Sequence, residues 1–103
     1  MSGSDSSTKG EPRATASSEF EIVNELGLHA RAAVKLTQVA QKYPCEVVVA
    51  NKEQTANAKS VMGVLLLCGG KGTRVVVTAT GEGAEQAVVA LGELIANKFG
   101  EGK

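Results

Sequence analysis

Along the chain from Phe20 to Phe99 the spacing of apolar residues keeps changing, and each change marks an element. Phe20-Glu21-Ile22-Val23-Asn24-Glu25 opens with alternation and predicts a strand, punctuated by Gly27. From His29 to Tyr43 the residues Ala33, Leu36, Ala40 and Tyr43 recur at helical spacing and predict a helix that Pro44 stops. The β-branched run Glu46-Val47-Val48-Val49-Ala50 predicts a strand, Asn51-Lys52 a turn, and Gln54 to Ala58 a short return strand. Ser60 to Leu67 reads as a short apolar helix. After the turn Gly69-Gly70-Lys71-Gly72, Thr73 to Ala79 predicts a further strand. Beyond Gly81-Glu82-Gly83 the residues Ala84, Ala87, Val88, Leu91, Leu94, Ile95 and Phe99 trace an amphipathic helix. The order is β-α-β-β-α-β-α, with no internal repeat. So many elements in so short a chain pack most economically as an α+β open-faced sandwich, a four-stranded, mostly antiparallel sheet with three helices on one face.

The segment from Met1 to Ser18 holds no Leu, Ile, Val or Phe, so its burial cannot offset its ordering entropy. The expected organisation is a disordered tail over residues 1–18, one folded domain over 19–100, and a frayed end over 101–103. Charge adds an exclusion: 11 basic and 11 acidic residues give a net charge of zero, which removes the broad attraction on which non-specific nucleic-acid binding relies. Aromatic residues make up only 3%, namely Phe20, Tyr43 and Phe99, so base-stacking platforms are not expected. Cys45 and Cys68 form no CxxC pair and read as reduced thiols. No apolar run approaches the ~20 residues needed to span a bilayer, and the N-terminus lacks a signal-peptide pattern. The expectation is a cytoplasmic protein without membrane insertion.

His29 is the only histidine, which excludes a multi-histidine metal site. It follows a glycine-bearing loop at the start of the first helix, where unpaired backbone N–H groups and the helix dipole favour an anion. A phosphate carried by His29 could rest against the backbone of Ala30 and Arg31, and Arg31 adds a permanent positive charge. Residues two apart within a helix do not face each other, so this pairing requires His29 at or just outside the helix boundary. Ser60 suits the N-cap of the short helix, a role that accounts for a serine there without any regulation. The nearly continuous apolar run from Val61 to Cys68 exceeds what a helix can bury on one sheet, leaving some side chains as a docking patch. Gly69-Gly70-Lys71-Gly72 superficially matches the GxxG loop of KH domains but leads into a strand, and it fails P-loop spacing. Tight turns explain it.

The segments Gly27-Leu28-His29-Ala30-Arg31-Ala32-Ala33, Lys59-Ser60-Val61-Met62-Gly63-Val64 and Gly69-Gly70-Lys71-Gly72 together resemble the HPr family, the histidine phosphocarriers of the bacterial sugar phosphotransferase system. The resemblance runs from Phe20 to Phe99. It implies an HPr-like sandwich in which His29 is phosphorylated on Nδ1 and Arg31 stabilises the phosphate. It further implies enzyme I as donor, an EIIA protein or domain as acceptor, and partner contacts through Val34, Gln38, Met62 and Leu65. Ser60 resembles the regulatory serine modified by HPr kinase/phosphorylase. Two departures stand out: Ala32 where relatives often have proline, and Leu26 where many carry a small polar residue.

The expected function is therefore that of a monomeric phosphocarrier needing no metal or organic cofactor, a substrate and donor in a transfer chain rather than an enzyme. The alternative within the family is a regulatory or nitrogen-branch paralogue, controlled at Ser60, whose output is partner binding. A nucleic-acid module is disfavoured by neutral charge and scarce aromatics. An autonomous enzyme is disfavoured because no base, nucleophile and orienting group can be recognised by spacing.

Overall fold

The structure is a computed structural model that describes residues 14–67 and 69–103. Its elements are β1 (Thr15–Glu21), α1 (Ala30–Ala40), β2 (Glu46–Ala50), β3 (Thr55–Asn57), α2 (Val61–Leu66), β4 (Arg74–Thr80) and α3 (Ala84–Ala96), followed by a 3-10 turn at Lys98–Gly100. The strands form one antiparallel sheet in the order β1-β4-β2-β3. Alternation decides which side is covered: Val47 and Val49 of β2, Ala56 of β3, and Val75, Val77 and Ala79 of β4 are buried beneath the helices. Their neighbours face solvent across the open side, where Ser17 Oγ and Thr78 Oγ1 share a hydrogen bond of 2.9 Å. Arg74 there meets Glu19 at 3.4 Å and Glu21 at 3.7 Å, exposed pairs that contribute little to stability. The α+β open-faced sandwich is thus the architecture found. Among the described residues no helix is long and apolar enough to cross a membrane.

Helix α3 settles on the sheet over β1, which explains Gly92. A Cβ there would stand 2.4 Å from Cε1 of Phe20, so the ring occupies the space a side chain would need. Ala87, Leu91 and Ile95 of α3 and Ala33 and Leu36 of α1 complete the core, all without measurable exposure. Cys45 is a buried free thiol, whereas Cys68 lies outside the described residues.

Several expected boundaries move. The first strand begins at Thr15 and ends at Glu21 rather than running from Phe20 to Glu25, so residues 15–18 belong to the folded domain and not to a tail. An edge strand draws its pairing from backbone groups, which Thr15, Ala16, Ser17 and Ser18 offer to β4 as well as any apolar residue would. Ala14 is tied in as well, its carbonyl accepting from Gly81 N–H at 2.8 Å. The rest of the expected tail, residues 1–13, lies outside the described residues. Helix α1 ends at Ala40, short of Tyr43, because the residue before Pro44 is disfavoured in helical geometry.

The C-terminus departs most. Phe99 does not extend the α3 stripe: Lys98 and Phe99 adopt left-handed φ values of 57° and 56°, and the turn sends the wholly buried Phe99 ring into the core from a new direction. Glu101 to Lys103, expected to fray, are held instead. Glu101 is hydrogen-bonded through its side chain, and Lys103 accepts from Glu25 N–H at 2.9 Å.

Candidate functional site

The loop before α1 is shaped around Gly27. Its φ is +65°, and a Cβ there would come within 2.4 Å of Gly69 O and 2.8 Å of Gly70 Cα. Only glycine allows the α2–β4 loop to approach so closely, and the approach is used: Leu28 N–H donates to Gly69 O at 2.7 Å. Gly27 O accepts from His29 N–H at 2.9 Å and from Asn24 Nδ2 at 2.8 Å. These bonds hand the chain to α1 at a fixed point, with Leu28 buried beneath it.

His29 is the N-cap of α1, with extended backbone (φ −77°, ψ −179°), so the boundary condition set by the sequence is met. Its Nδ1 accepts from Arg31 N–H at 3.3 Å, and its Nε2 is hydrogen-bonded to Oε2 of Glu101. The backbone N–H groups of Ala30, Arg31 and Ala32 precede the first intrahelical bond, which runs from Ala33 N–H to His29 O. They offer donors to an anion on Nδ1. Arg31 is exposed, and it borders with His29, Ala30, Glu101 and Lys103 a surface depression of about 790 Å³.

Glu101 is the residue that sequence reasoning missed. It is fixed at both oxygens, because Oε1 accepts from Asn24 Nδ2 at 2.9 Å while Oε2 faces His29. The hydrogen bond to His29, and next the bond from Asn24, hold its carboxyl below the usual carboxylate range; the charge of Lys35 adds to this, and partial burial opposes it. Asn24 was equally unmarked, a wholly buried polar residue that joins the Gly27 loop to the C-terminal segment. Neither position carries a local signal, since the contacts span 72 and 77 residues.

The other expected residues divide. Ser60 is the N-cap of α2, its hydroxyl accepting from Gly63 N–H at 3.1 Å, and it lies in a separate depression with Gly63 and Leu66. Val34 and Gln38 point outward from α1. Met62 is 66% exposed, whereas Leu65 is half-buried against the core, and Leu66, at 62%, takes the outward place beside Met62. Leu26, at 70%, is exposed on the loop leading to His29. The surplus of apolar side chains expected of α2 is therefore present at its surface.

Comparison with known proteins agrees with this architecture. The family described as "PTS HPr component phosphorylation site" matches residues 16–97. The phosphocarrier protein HPr of Pseudomonas aeruginosa is 49% identical over 86 residues, covering 82% of this chain and 96% of that protein. That of Cupriavidus necator is 45% identical over 82 residues, covering 80% and 92%. The crystal structure of HPr-C-His from Thermoanaerobacter tengcongensis superposes with a TM-score of 0.82 at 39% identity, covering 85% of this chain and 99% of that one. With a four-stranded antiparallel sheet under three helices and a histidine at the α1 boundary, the chain belongs to the HPr family, the phosphocarriers of the bacterial phosphotransferase system.

Proposed function

We propose that His29 accepts a phosphoryl group on Nδ1 from phospho-enzyme I and yields it to an EIIA protein or domain. The observation that carries this reading is the position of the ring. Among the described residues Nδ1 meets only a 3.3 Å bond from Arg31 N–H, a contact weak enough to be exchanged for a phosphoryl group. Its lone pair attacks phosphorus while the donor's P–N bond breaks and that electron pair returns to the donor ring. The N–H groups of Ala30 and Arg31 then serve the phosphoryl oxygens, and the Arg31 guanidinium supplies charge once a partner excludes water. Helix-end stabilisation is about 0.3 to 1 kcal/mol, small enough that the next transfer is not blocked by a deep ground state.

In this reading the chain is a monomeric cytoplasmic carrier, needs no cofactor, and is substrate and donor rather than enzyme. Val34, Gln38 and Met62 supply partner contacts, with the exposed Leu66 in place of the expected but half-buried Leu65, and their exposure on α1 and α2 supports that role. Intact-mass analysis after incubation with phosphoenolpyruvate, magnesium and catalytic enzyme I is the test. An acid-labile gain of one phosphoryl group, absent in His29→Ala, is expected; no gain by folded wild-type chain would overturn the reading.

A second reading concerns Ser60 as a site for HPr kinase/phosphorylase, which would make the chain a regulated binding partner. A phosphate there would add roughly −1.5 to −2 charges beside the exposed Leu66, disfavouring an apolar or acidic partner at α2. Incubation with that kinase and ATP, comparing wild type with Ser60→Ala, decides it: a gain of mass by the variant as well would place the modification elsewhere.

A further inference from the structure

We propose that Glu101 is the positioning residue of the carrier histidine: its carboxylate, steered by Asn24, holds the proton on Nε2 and leaves the Nδ1 lone pair available for phosphorus. The inference rests on the proposed carrier role of His29 and deepens it. Arg31 N–H can only donate, so the Nδ1 facing it accepts and carries no proton. An ionised carboxylate can only accept, so the Nε2 facing Glu101 is the protonated nitrogen. The two contacts select the same tautomer from opposite sides of the ring.

This arrangement is constructed over a long path. Lys98 and Phe99 reverse the chain after α3, Lys35 Nζ donates to Phe99 O at 2.7 Å, and Asn24 Nδ2 donates to Oε1. The His29 side chain is 27% exposed and that of Glu101 15%, so the pair is shielded while Nδ1 remains at the helix start. Transfer needs no proton movement at the far nitrogen. Nδ1 forms its bond to phosphorus, the donor bond breaks, Nε2 keeps its hydrogen, and the ring becomes cationic with that N–H directed at a carboxylate. The logic is that of a histidine oriented by a buried acid in acyl transfer, where the carboxylate sets the tautomer and balances the imidazolium.

Asn24 makes the test selective. In Glu101→Gln the amide oxygen is claimed by Asn24 Nδ2, so the new NH2 group faces His29 Nε2 and requires that nitrogen to accept. The proton then moves to Nδ1, the nucleophile. Glu101→Ala removes the preference without reversing it.

Long-range 1H–15N spectra of the full chain at about pH 8, where an ordinary imidazole is neutral, read the tautomer directly. The wild type is expected to carry the proton on Nε2, Glu101→Ala to give a mixture, and Glu101→Gln to shift toward Nδ1–H. Transfer from phospho-enzyme I is expected to fall about ten- to a hundredfold in Glu101→Gln, mostly in kcat, and by less in Glu101→Ala. A wild-type proton on Nδ1, an unchanged tautomer in both variants, or undiminished transfer by Glu101→Gln would overturn the proposal. The spectra do not depend on transfer, so wild-type chain that accepts no phosphoryl group would refute the carrier reading while the tautomer still decides the role of Glu101. The wild-type spectrum alone tests the proton's position even if a variant fails to fold.

Discussion

Lys35 of α1 and Phe99 of the C-terminal turn are joined by a hydrogen bond of 2.7 Å from Nζ to the Phe99 carbonyl. The bond fastens the turn to the same helix whose N-terminus presents His29. One element therefore positions both partners of the His29–Glu101 pair.

Removing that bond tests the link. Lys35→Ala is expected to cost about 1.5 to 3 kcal/mol, as for bonds that involve a charged group, lowering Tm by roughly 4 to 8 °C per kcal/mol in a domain of this size. It is also expected to broaden the His29 ring signals. A stability loss with an unchanged ring spectrum would show that the turn holds without α1.

The Gly27 loop makes a sharper demand. Gly27→Ala combines a left-handed residue with a clash against the backbone of Gly69 and Gly70, where nothing can swing aside. The expected loss is about 2 to 5 kcal/mol, measured by urea denaturation. A variant as stable as wild type would show that the loops move apart readily.

Glu101 sets a pH signature. A carboxyl with a lower pKa folded than unfolded adds stability that is complete above its unfolded value, about 4.3, and is lost as pH falls through the folded value. The stability advantage of wild type over Glu101→Gln is expected in full at about pH 6, should shrink as the pH falls past the unfolded value, and should close once the pH is below the folded one. Among the described residues, His29 and Lys35 are the charged or titrating groups that act on this carboxyl. A difference that widens on acidification has the wrong sign.

The surface and core positions of the helices should separate stability from transfer. Leu36→Ala, at a position with no exposure, is expected to cost about 2 to 5 kcal/mol. Met62→Asp should change stability by less than about 0.5 kcal/mol and yet raise the KM for transfer from enzyme I. Ser60→Ala removes the α2 cap and should cost about 0.5 to 2 kcal/mol with His29 phosphorylation intact. Thermal scans and transfer kinetics on the same preparations check all three.

Local periodicity made the succession of elements legible, since Val47, Val49, Val75 and Val77 alternate and Ala33, Leu36 and Ala40 share a stripe. His29 was legible too, because its glycine-bearing loop and following helix lie in adjacent sequence. Thr15 to Ser18 were not, as edge pairing leaves no apolar trace. Phe99 sits where helical spacing would place it, but two left-handed residues redirect it, a conformation that tertiary packing chooses against local preference. Asn24 and Glu101 gain their meaning only when distant segments close on one another.

The reversal at Lys98 and Phe99 also acts as a ruler. Phe99 is pinned in the core, Glu101 must reach a fixed ring, and Gly100 alone spans the interval at φ +78°. A single residue inserted beside Gly100 would shift the carboxylate out of register while leaving the hydrophobic core whole, dividing the protein's ability to fold from its ability to aim its histidine.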